Sequence, residues 1–379
     1  MIPLSRKEKL FALFPGAPVF RLKQMEEALF SPLIEGFSDI SNIPLSMREV
    51  MARELDWFSI KEVRVFESKK KDTFKAVVET TDGKRVETVL MKNARNQWTV
   101  CVSSQVGCAM ACTFCATGTM GFTRNLLADE IIDQVRFWFS FLSERETLSL
   151  SKGRNMPSGS DSNESEVKES RISNVVFMGM GEPLANYDNV KETLRLLLAY
   201  TDIGMTRITV STVGLLPMLK KLLDDPAWPP VRLAVSVHSA DSDTRKSIMP
   251  SSYDGFLDQL VEWTERYFEK FESPEKLGLG GARRRHLTFE YVMLGGVNDS
   301  ELHARALIRF AERVGKVRIN LIPYNFTGSV YKDSLPGDFI RFQKQLEDAG
   351  VVVTRRRTMG DDIAAACGQL VVEKNVLTD

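Results

Sequence analysis

From Trp98 onward the chain repeats one unit: a short apolar run rich in β-branched residues, a turn with glycine or serine, then apolar residues at helical spacing. The runs at 99–103, 174–178, 207–211, 232–237, 288–293, 318–322 and 351–354 predict strands. The segments 129–142, 190–198, 215–223, 257–271, 301–314 and 339–349 predict helices. Strands that alternate with helices in this way pair parallel through helical crossovers, in a sheet either left open or closed into a barrel. Chemistry in such sheets collects beyond the C-terminal strand ends, so the turns that follow each run are where function is expected.

The first 96 residues follow other periods. Residues 1–62 carry apolar positions at helical spacing (Leu10, Leu13; Met25, Ala28, Leu29; Met47, Val50, Met51), broken at Pro15, Pro18 and Pro44, which predicts a small helical module. In 63–96 the period changes to two, with Asp82-Gly83 as a turn, which predicts a β-hairpin or small sheet. Residues 97–379 then form the main domain. Two polar excursions interrupt it: a Ser-rich stretch over about 145–170, densest in 151–170, and the Gly- and Arg-rich 273–285, both expected to be loops.

Composition narrows the class. The 379 residues are 43% hydrophobic, enough for a large core, and no run approaches the roughly 18 apolar residues of a membrane span. With no h-region at the start, a cytoplasmic location is expected. Lys plus Arg equal Asp plus Glu at 50 each, so net charge argues for no polyanionic partner, and only the runs 69–71, 283–286 and 355–357 could meet phosphate. Five cysteines in a chain this long do not make a disulfide scaffold.

Three of those cysteines, Cys108, Cys112 and Cys115, stand in C-x3-C-x2-C spacing among Gly107, Gly118 and Gly121. Three thiolates facing one point leave a coordination position open. A closed structural zinc site wants four ligands, whereas thiolates also suit iron–sulfur clusters, and buried apolar cysteines without metal remain the plain alternative. After the run ending at Met178 comes Gly179-Met180-Gly181-Glu182-Pro183, where glycines admit close backbone approach and a carboxylate could accept from an amine.

The two motifs together resemble the radical S-adenosylmethionine (SAM) superfamily. The likeness narrows with CVSSQVGCAMACTFCATG from Cys101, GMGEPLAN from Gly179, STVG from Ser211, SVHSA from Ser236, YVMLGGVND from Tyr291, NLIPYN from Asn320 and GDDIAAACGQL from Gly360. In this order they resemble the RlmN/Cfr group of RNA adenine methyltransferases over residues 101–370, and FPGAPVFRLKQ more loosely resembles the group's small helical RNA-binding domain. The resemblance implies an α/β fold: a partial (β/α) barrel radical SAM core, a small N-terminal helical domain and a short β-hairpin linker. It implies a [4Fe-4S] cluster on Cys108, Cys112 and Cys115, and two SAM molecules per turnover.

For the remaining cysteines the resemblance implies a shuttle. Cys367 is methylated by one SAM; a 5′-deoxyadenosyl radical from the second takes hydrogen from that S-methyl group, and the carbon adds to the adenine ring. Cys101 then attacks the Cys367 sulfur, forming a disulfide and freeing the methylated base. An aromatic adenine C–H carbon is not nucleophilic, so direct displacement on SAM is closed to it. Carried over likewise are Glu87 as the base that deprotonates the adduct, and Gly181, Glu182, Ser211, Ser236, Val237, His238 and Asn325 as SAM contacts. On sequence alone Glu87 would be a solvated strand residue, and His238 a core histidine as readily as a ligand.

The group contains a branch that methylates C2 of an adenine in 23S rRNA and in certain tRNAs, and another that methylates C8 and confers antibiotic resistance. Pro183 and the segment Ile322-Pro323-Tyr324-Asn325 look more like the C2 branch. Implied partners are 23S rRNA, tRNA and an electron donor such as flavodoxin or ferredoxin, with no membrane; nothing calls for more than a monomer. Two readings from other classes stand beside this: a radical SAM enzyme on a substrate other than RNA, and a zinc-binding RNA module without catalysis.

Overall fold

The structure is a computed structural model and describes residues 3–151, 171–271, 287–315 and 317–371. Most of the polar 151–170 stretch, all of 273–285 and the basic run at 283–286 lie outside the described residues.

Three helices open the chain, α1 (Arg6–Leu13), α2 (Phe20–Leu29) and α3 (Leu45–Glu54), α1 capped by a reciprocal Ser5–Glu8 box. Their apolar faces form a core of their own from Leu10, Leu22, Met25, Ala28, Phe37, Ile40, Ile43, Met51 and Leu55. The module docks on the first long helix of the main domain, α5 (Ala128–Ser151), through buried charge. Arg6 pairs with Asp129 at 3.2 Å and with Asp133, which also accepts from the Ser59 amide and hydroxyl at 2.6 and 2.7 Å and from Arg136 at 2.5 Å. Burial would push the Asp133 carboxyl up, but Arg6 and Arg136 overcome it and hold the group below its ordinary value.

Strands β1 (Ile60–Glu67), β2 (Thr73–Thr80) and β3 (Arg85–Lys92) follow, antiparallel, with Gly83 turning at positive φ between the last two. The sequence suggests a small β linker or extension here. In the structure β3 pairs antiparallel with β4 (Trp98–Cys101), Val89 opposite Cys101, so these strands extend the main sheet. From β4 the sheet is parallel and in chain order: β7 (Ile172–Phe177), β8 (Ile208–Thr212), β9 (Arg232–Ser236), β10 (Leu287–Met293), β11 (Arg318–Pro323) and β12 (Val352–Arg355). A short hairpin of β5 (Gln105–Gly107) and β6 (Phe122–Asn125) brackets the cysteine loop and its single-turn helix α4 (Ala116–Thr119).

Crossover helices α6 (Tyr187–Tyr200), α7 (Leu216–Asp224), α8 (Ser242–Ile248), α9 (Phe256–Phe271), α10 (Glu301–Val314) and α11 (Pro336–Asp348) complete the chain. Val190, Leu194 and Leu197 of α6 and Leu260, Trp263 and Tyr267 of α9 are buried in one core with Val175, Val210, Val235, Phe289 and Leu321 of the strands. The partial barrel implied by the family resemblance is therefore present: seven parallel strands in sequential order, with β12 and β4 unpaired to one another. Chain 361–371 spans that opening, because Thr117 Oγ1 donates to Leu370 O at 2.5 Å, the Ala116 amide to Gly368 O at 2.8 Å, and the Val371 amide to Glu87 Oε2 at 3.0 Å.

The polar excursion expected from about 145 starts later, since α5 runs unbroken to Ser151. Residues 143–147 are exposed and polar, and Arg145 reaches Glu67 on β1 at 3.3 Å. A helix that has left the core loses its apolar stripe, so composition alone reads it as loop.

Candidate active site

The parallel strands end on one cleft of about 170 Å³. Cys108, Cys112 and Cys115 form one wall, Gly181 and Glu182 another; Ser211, Ser236 and His238 come from the β8 and β9 ends, and Asn325 and Cys367 from the C-terminal side.

The cysteine loop is wrapped tightly by backbone. A Cβ on Gly118 would sit 2.6 Å from Cys112 O, and the Cys115 amide donates to the same carbonyl at 3.1 Å. Burial pushes the Cys108 thiol up to about 11, and it raises Cys112 and Cys115 as well; Cys115 and then Cys108 add repulsion at Cys112. Thiols held so close become thiolates when a cation takes them. Three thiols on one wall of the cleft, with Cys115 and Cys108 close enough to act on Cys112, can each bind an iron of one cluster. The residues therefore fit a three-cysteine iron–sulfur cluster.

Gly181 has φ +101, and a Cβ there would lie 2.5 Å from Gln105 Cβ. That turn lets the Glu182 amide donate to Gln105 Oε1 at 2.8 Å and aims the Glu182 side chain across the strand ends. Its carboxylate accepts from the Leu184 amide at 2.9 Å and the Val213 amide at 2.8 Å. Burial outweighs these bonds and raises its pKa to about 7. A carboxylate in this state gains from a cation placed beside it.

His238 has φ +54, in the left-handed region, and its Nδ1 accepts from the Val292 amide at 3.0 Å. The neutral ring therefore carries its proton on Nε2, which is left to donate. Burial and then Arg245 hold its pKa down to about 3, so it stays neutral through the working range. Ser211 lies on the less buried face of β8, where the alternation Ile208, Val210, Thr212 in the core turns it to the cleft. Val237 is fully buried; its amide donates to Glu290 O at 3.0 Å, and it is not among the lining residues.

Cys367 is exposed and lines the cleft; Asn325 holds its loop by donating from Nδ2 to Cys367 O at 3.1 Å and accepting from Thr358 Oγ1 at 2.9 Å. Cys101 is buried at the end of β4, its pKa raised to about 12 by burial and then by Cys367. The two thiols, 266 positions apart in sequence by the difference of their numbers, thus bear on each other across the barrel opening. All five cysteines are free thiols. Glu87 is no solvated residue: it is 2% exposed, pairs with Lys75 Nζ at 3.0 Å and accepts from the Val371 amide. It braces the Cys367 loop and does not line the cleft.

Two lining residues escaped the sequence reading. Glu290 on β10 is buried, accepts from Asn320 Nδ2 at 2.7 Å and lies 3.3 Å from Arg356 Nε. Arg356 also donates to Met178 Sδ at 3.3 Å and forms a side-chain hydrogen bond with Cys367. A carboxylate in the centre of an apolar strand was the available signal for Glu290; Arg356 was hidden in a basic run read as solvated surface or phosphate contact.

Over 367 residues the chain is 37% identical to the dual-specificity RNA methyltransferase RlmN of Desulfotalea psychrophila, covering 96% of this chain and 92% of that protein. The chain belongs to the RlmN family. A second member, from an Anaeromyxobacter species, is 36% identical over 98% of the chain and 90% of its own length. Residues 163–307 match the radical SAM superfamily. The crystal structure of a radical SAM methyltransferase from Sphaerobacter thermophilus superposes with a TM-score of 0.78 at 34% identity, covering 97% of each chain. The family is one of radical SAM methyltransferases, and the cleft described above is where its motifs meet.

Proposed function

We propose that this enzyme methylates C2 of an adenine in 23S rRNA and in tRNA, with Cys367 carrying the carbon and Cys101 releasing it. What supports this reading is that Cys367 lines the cleft beside the three-thiol loop and Glu182 and lies close enough for its charge to act on buried Cys101, four features scattered through 266 positions. The cluster and bound SAM would supply a one-electron cleavage that yields a 5′-deoxyadenosyl radical, for which an external reductant such as flavodoxin or ferredoxin is needed.

The chain's own groups do the rest. Glu182 takes the SAM amino group, and the ionised carboxylate becomes the stable form once that cation arrives. His238 donates from Nε2, and Ser211 and Ser236 offer hydroxyls from the strand ends; Gly181 and Val237 set the backbone beside them. Asn325 fixes the Cys367 loop, so an S-methyl on Cys367 is held facing the radical's origin. Glu87 acts as the base on the RNA adduct. The unpaired electron left by radical addition would pass back to the cluster as the adduct loses its ring proton; attack by the Cys101 thiolate on the Cys367 sulfur then breaks the S–C bond, forms one disulfide and leaves the electron pair on the carbon, which takes up a proton to become the methyl group.

RNA as substrate is supported by charge around the mouth. The Lys69 amide donates to Asp362 Oδ2 at 2.7 Å, which brings the exposed Lys69, Lys70 and Lys71 beside the chain that leads to Cys367. Among the described residues no helix is long and apolar enough to cross a membrane, and the reading takes the enzyme to be cytoplasmic and monomeric. The test is nucleoside analysis of rRNA and tRNA incubated anaerobically with reconstituted enzyme. The expected product is 2-methyladenosine, absent with Cys367→Ala. An 8-methyladenosine product would overturn the regiochemistry, and full activity of Cys367→Ala would overturn the shuttle.

A further inference from the structure

Arg245 of α8 is 1% exposed, and among the described residues no carboxylate lies within ion-pair distance of it. Its guanidinium donates to the carbonyls of Val237 at 3.1 Å, Val213 at 3.0 Å and Ser236 at 3.1 Å, and sits 3.8 Å over the Phe256 ring. Carbonyl dipoles and a ring face satisfy its protons but leave its charge uncompensated, which is costly in a dry interior. Burial accordingly lowers its pKa to about 10, and the groups whose negative charge bears on it are Cys112 first and then Tyr253.

The same helix is fastened to the cysteine loop. Both the amide and Oγ1 of Thr113 donate to Ile248 O, at 3.0 and 3.2 Å, and Ile248 and Met249 pack in one cluster with Cys112. The loop thus cannot move away from Arg245 without breaking two hydrogen bonds and an apolar contact. An uncompensated buried cation held beside the Cys112 thiol is explained if the bound state puts an anion there.

We propose that Arg245 is the resident counter-charge of the anionic three-thiolate cluster and raises its reduction potential, easing the electron uptake that precedes SAM cleavage. The inference rests on reading Cys108, Cys112 and Cys115 as the cluster site. Reduction adds one electron and no proton, so a fixed positive charge nearby favours the reduced state through Coulomb attraction in a low-dielectric site.

The test compares Arg245→Gln with Arg245→Lys, both reconstituted anaerobically, by iron and sulfide content and by a mediated dithionite titration followed by electron paramagnetic resonance. Arg245→Gln should lower the one-electron reduction equilibrium at least tenfold, which is about 59 mV more negative, while Arg245→Lys stays within about threefold of wild type. Failure of Gln to load iron where Lys loads fully would also support the counter-charge. An unshifted potential in fully loaded Arg245→Gln would overturn it. So would equal losses in both variants, which point to the three carbonyl bonds rather than the charge; Arg245→Met replaces Gln if Gln does not fold. Wild-type protein that takes up no iron would instead overturn the cluster reading itself.

Discussion

Glu182→Gln separates a cost to the empty fold from a gain on binding. In the empty protein the Glu182 pKa stands at about 7 against an ordinary 4.5, so ionisation burdens the fold by about 3 kcal/mol at pH above 7. The folded state binds the proton more tightly than the unfolded chain. Stability is therefore full below 4.5 and falls as pH rises to about 7, which gives wild type a loss of roughly 2–3 kcal/mol between pH 5 and pH 8 from this group. Glutamine removes that slope. It also points an amide NH2 at either Leu184 or Val213, whose amides the carboxylate now serves, at a cost of about 1–3 kcal/mol at every pH. The variant should thus be less stable than wild type at pH 5 and close to it at pH 8, by urea unfolding of cluster-free protein. SAM binding should move the other way: losing a charge-assisted bond of about 1.5–3 kcal/mol weakens affinity roughly 10- to 150-fold at pH 8, measured by calorimetry on loaded enzyme. Parallel stability–pH curves for the two proteins, or unchanged SAM affinity, would refute the reasoning.

Cys101→Ala should leave Cys367 methylation intact and accumulate an RNase-sensitive protein–RNA conjugate on denaturing gels; a normal free product would remove Cys101 from the mechanism. Gly181→Ala forces a Cβ into Gln105 at a positive φ, so a loss of at least about 1–3 kcal/mol in stability is expected together with loss of SAM binding. Replacing Lys69, Lys70 and Lys71 together by alanine should weaken RNA binding without altering Cys367 methylation and lower the salt slope of binding by about 1 for each lysine that touches phosphate. Arg6→Met strands the buried Asp133 with one cation fewer, so a loss of about 3–5 kcal/mol is expected by thermal unfolding.

How much of this was legible in the chain depends on which force places each residue. The parallel strands 99–103 to 351–354 were read within two residues at nearly every end, because strands buried on both faces write an apolar run that nothing else in a polar chain imitates. Helix α8 was not read, for its seven residues carry Asp243, Arg245 and Lys246 and no apolar stripe; what holds it is an Asp241 cap on the Thr244 amide at 2.8 Å and the buried Arg245. The edge strands were read as a β-hairpin or small sheet, but not their pairing with the main sheet, since register between β3 and β4 is a relation between segments and leaves no local mark.

Buried charge defeats sequence reading for a deeper reason. Glu87, Arg245 and Glu290 lie inside the protein and Arg356 is half-buried at the cleft, and a single charged letter reads as surface because burial without a partner is so costly. Their partners lie far off in sequence: Lys75 on the neighbouring strand and Val371 near the far end for Glu87, Arg356 for Glu290, strand-end carbonyls for Arg245. Charged residues become permissible in the interior only after the sheet has brought those partners together, so they are a consequence of the fold and carry no pattern that precedes it. The gap between β4 and β12 is bridged by a loop that buries Ala365, Ala366 and Leu370 but has no larger apolar side chain in the core, and its closure also relies on Glu87, Lys75, Asn325 and backbone amides. A loop tied by a few polar bonds is the part of the molecule that can release locally while the core stays intact, and it carries the one exposed cysteine that must meet both a radical source and an RNA base.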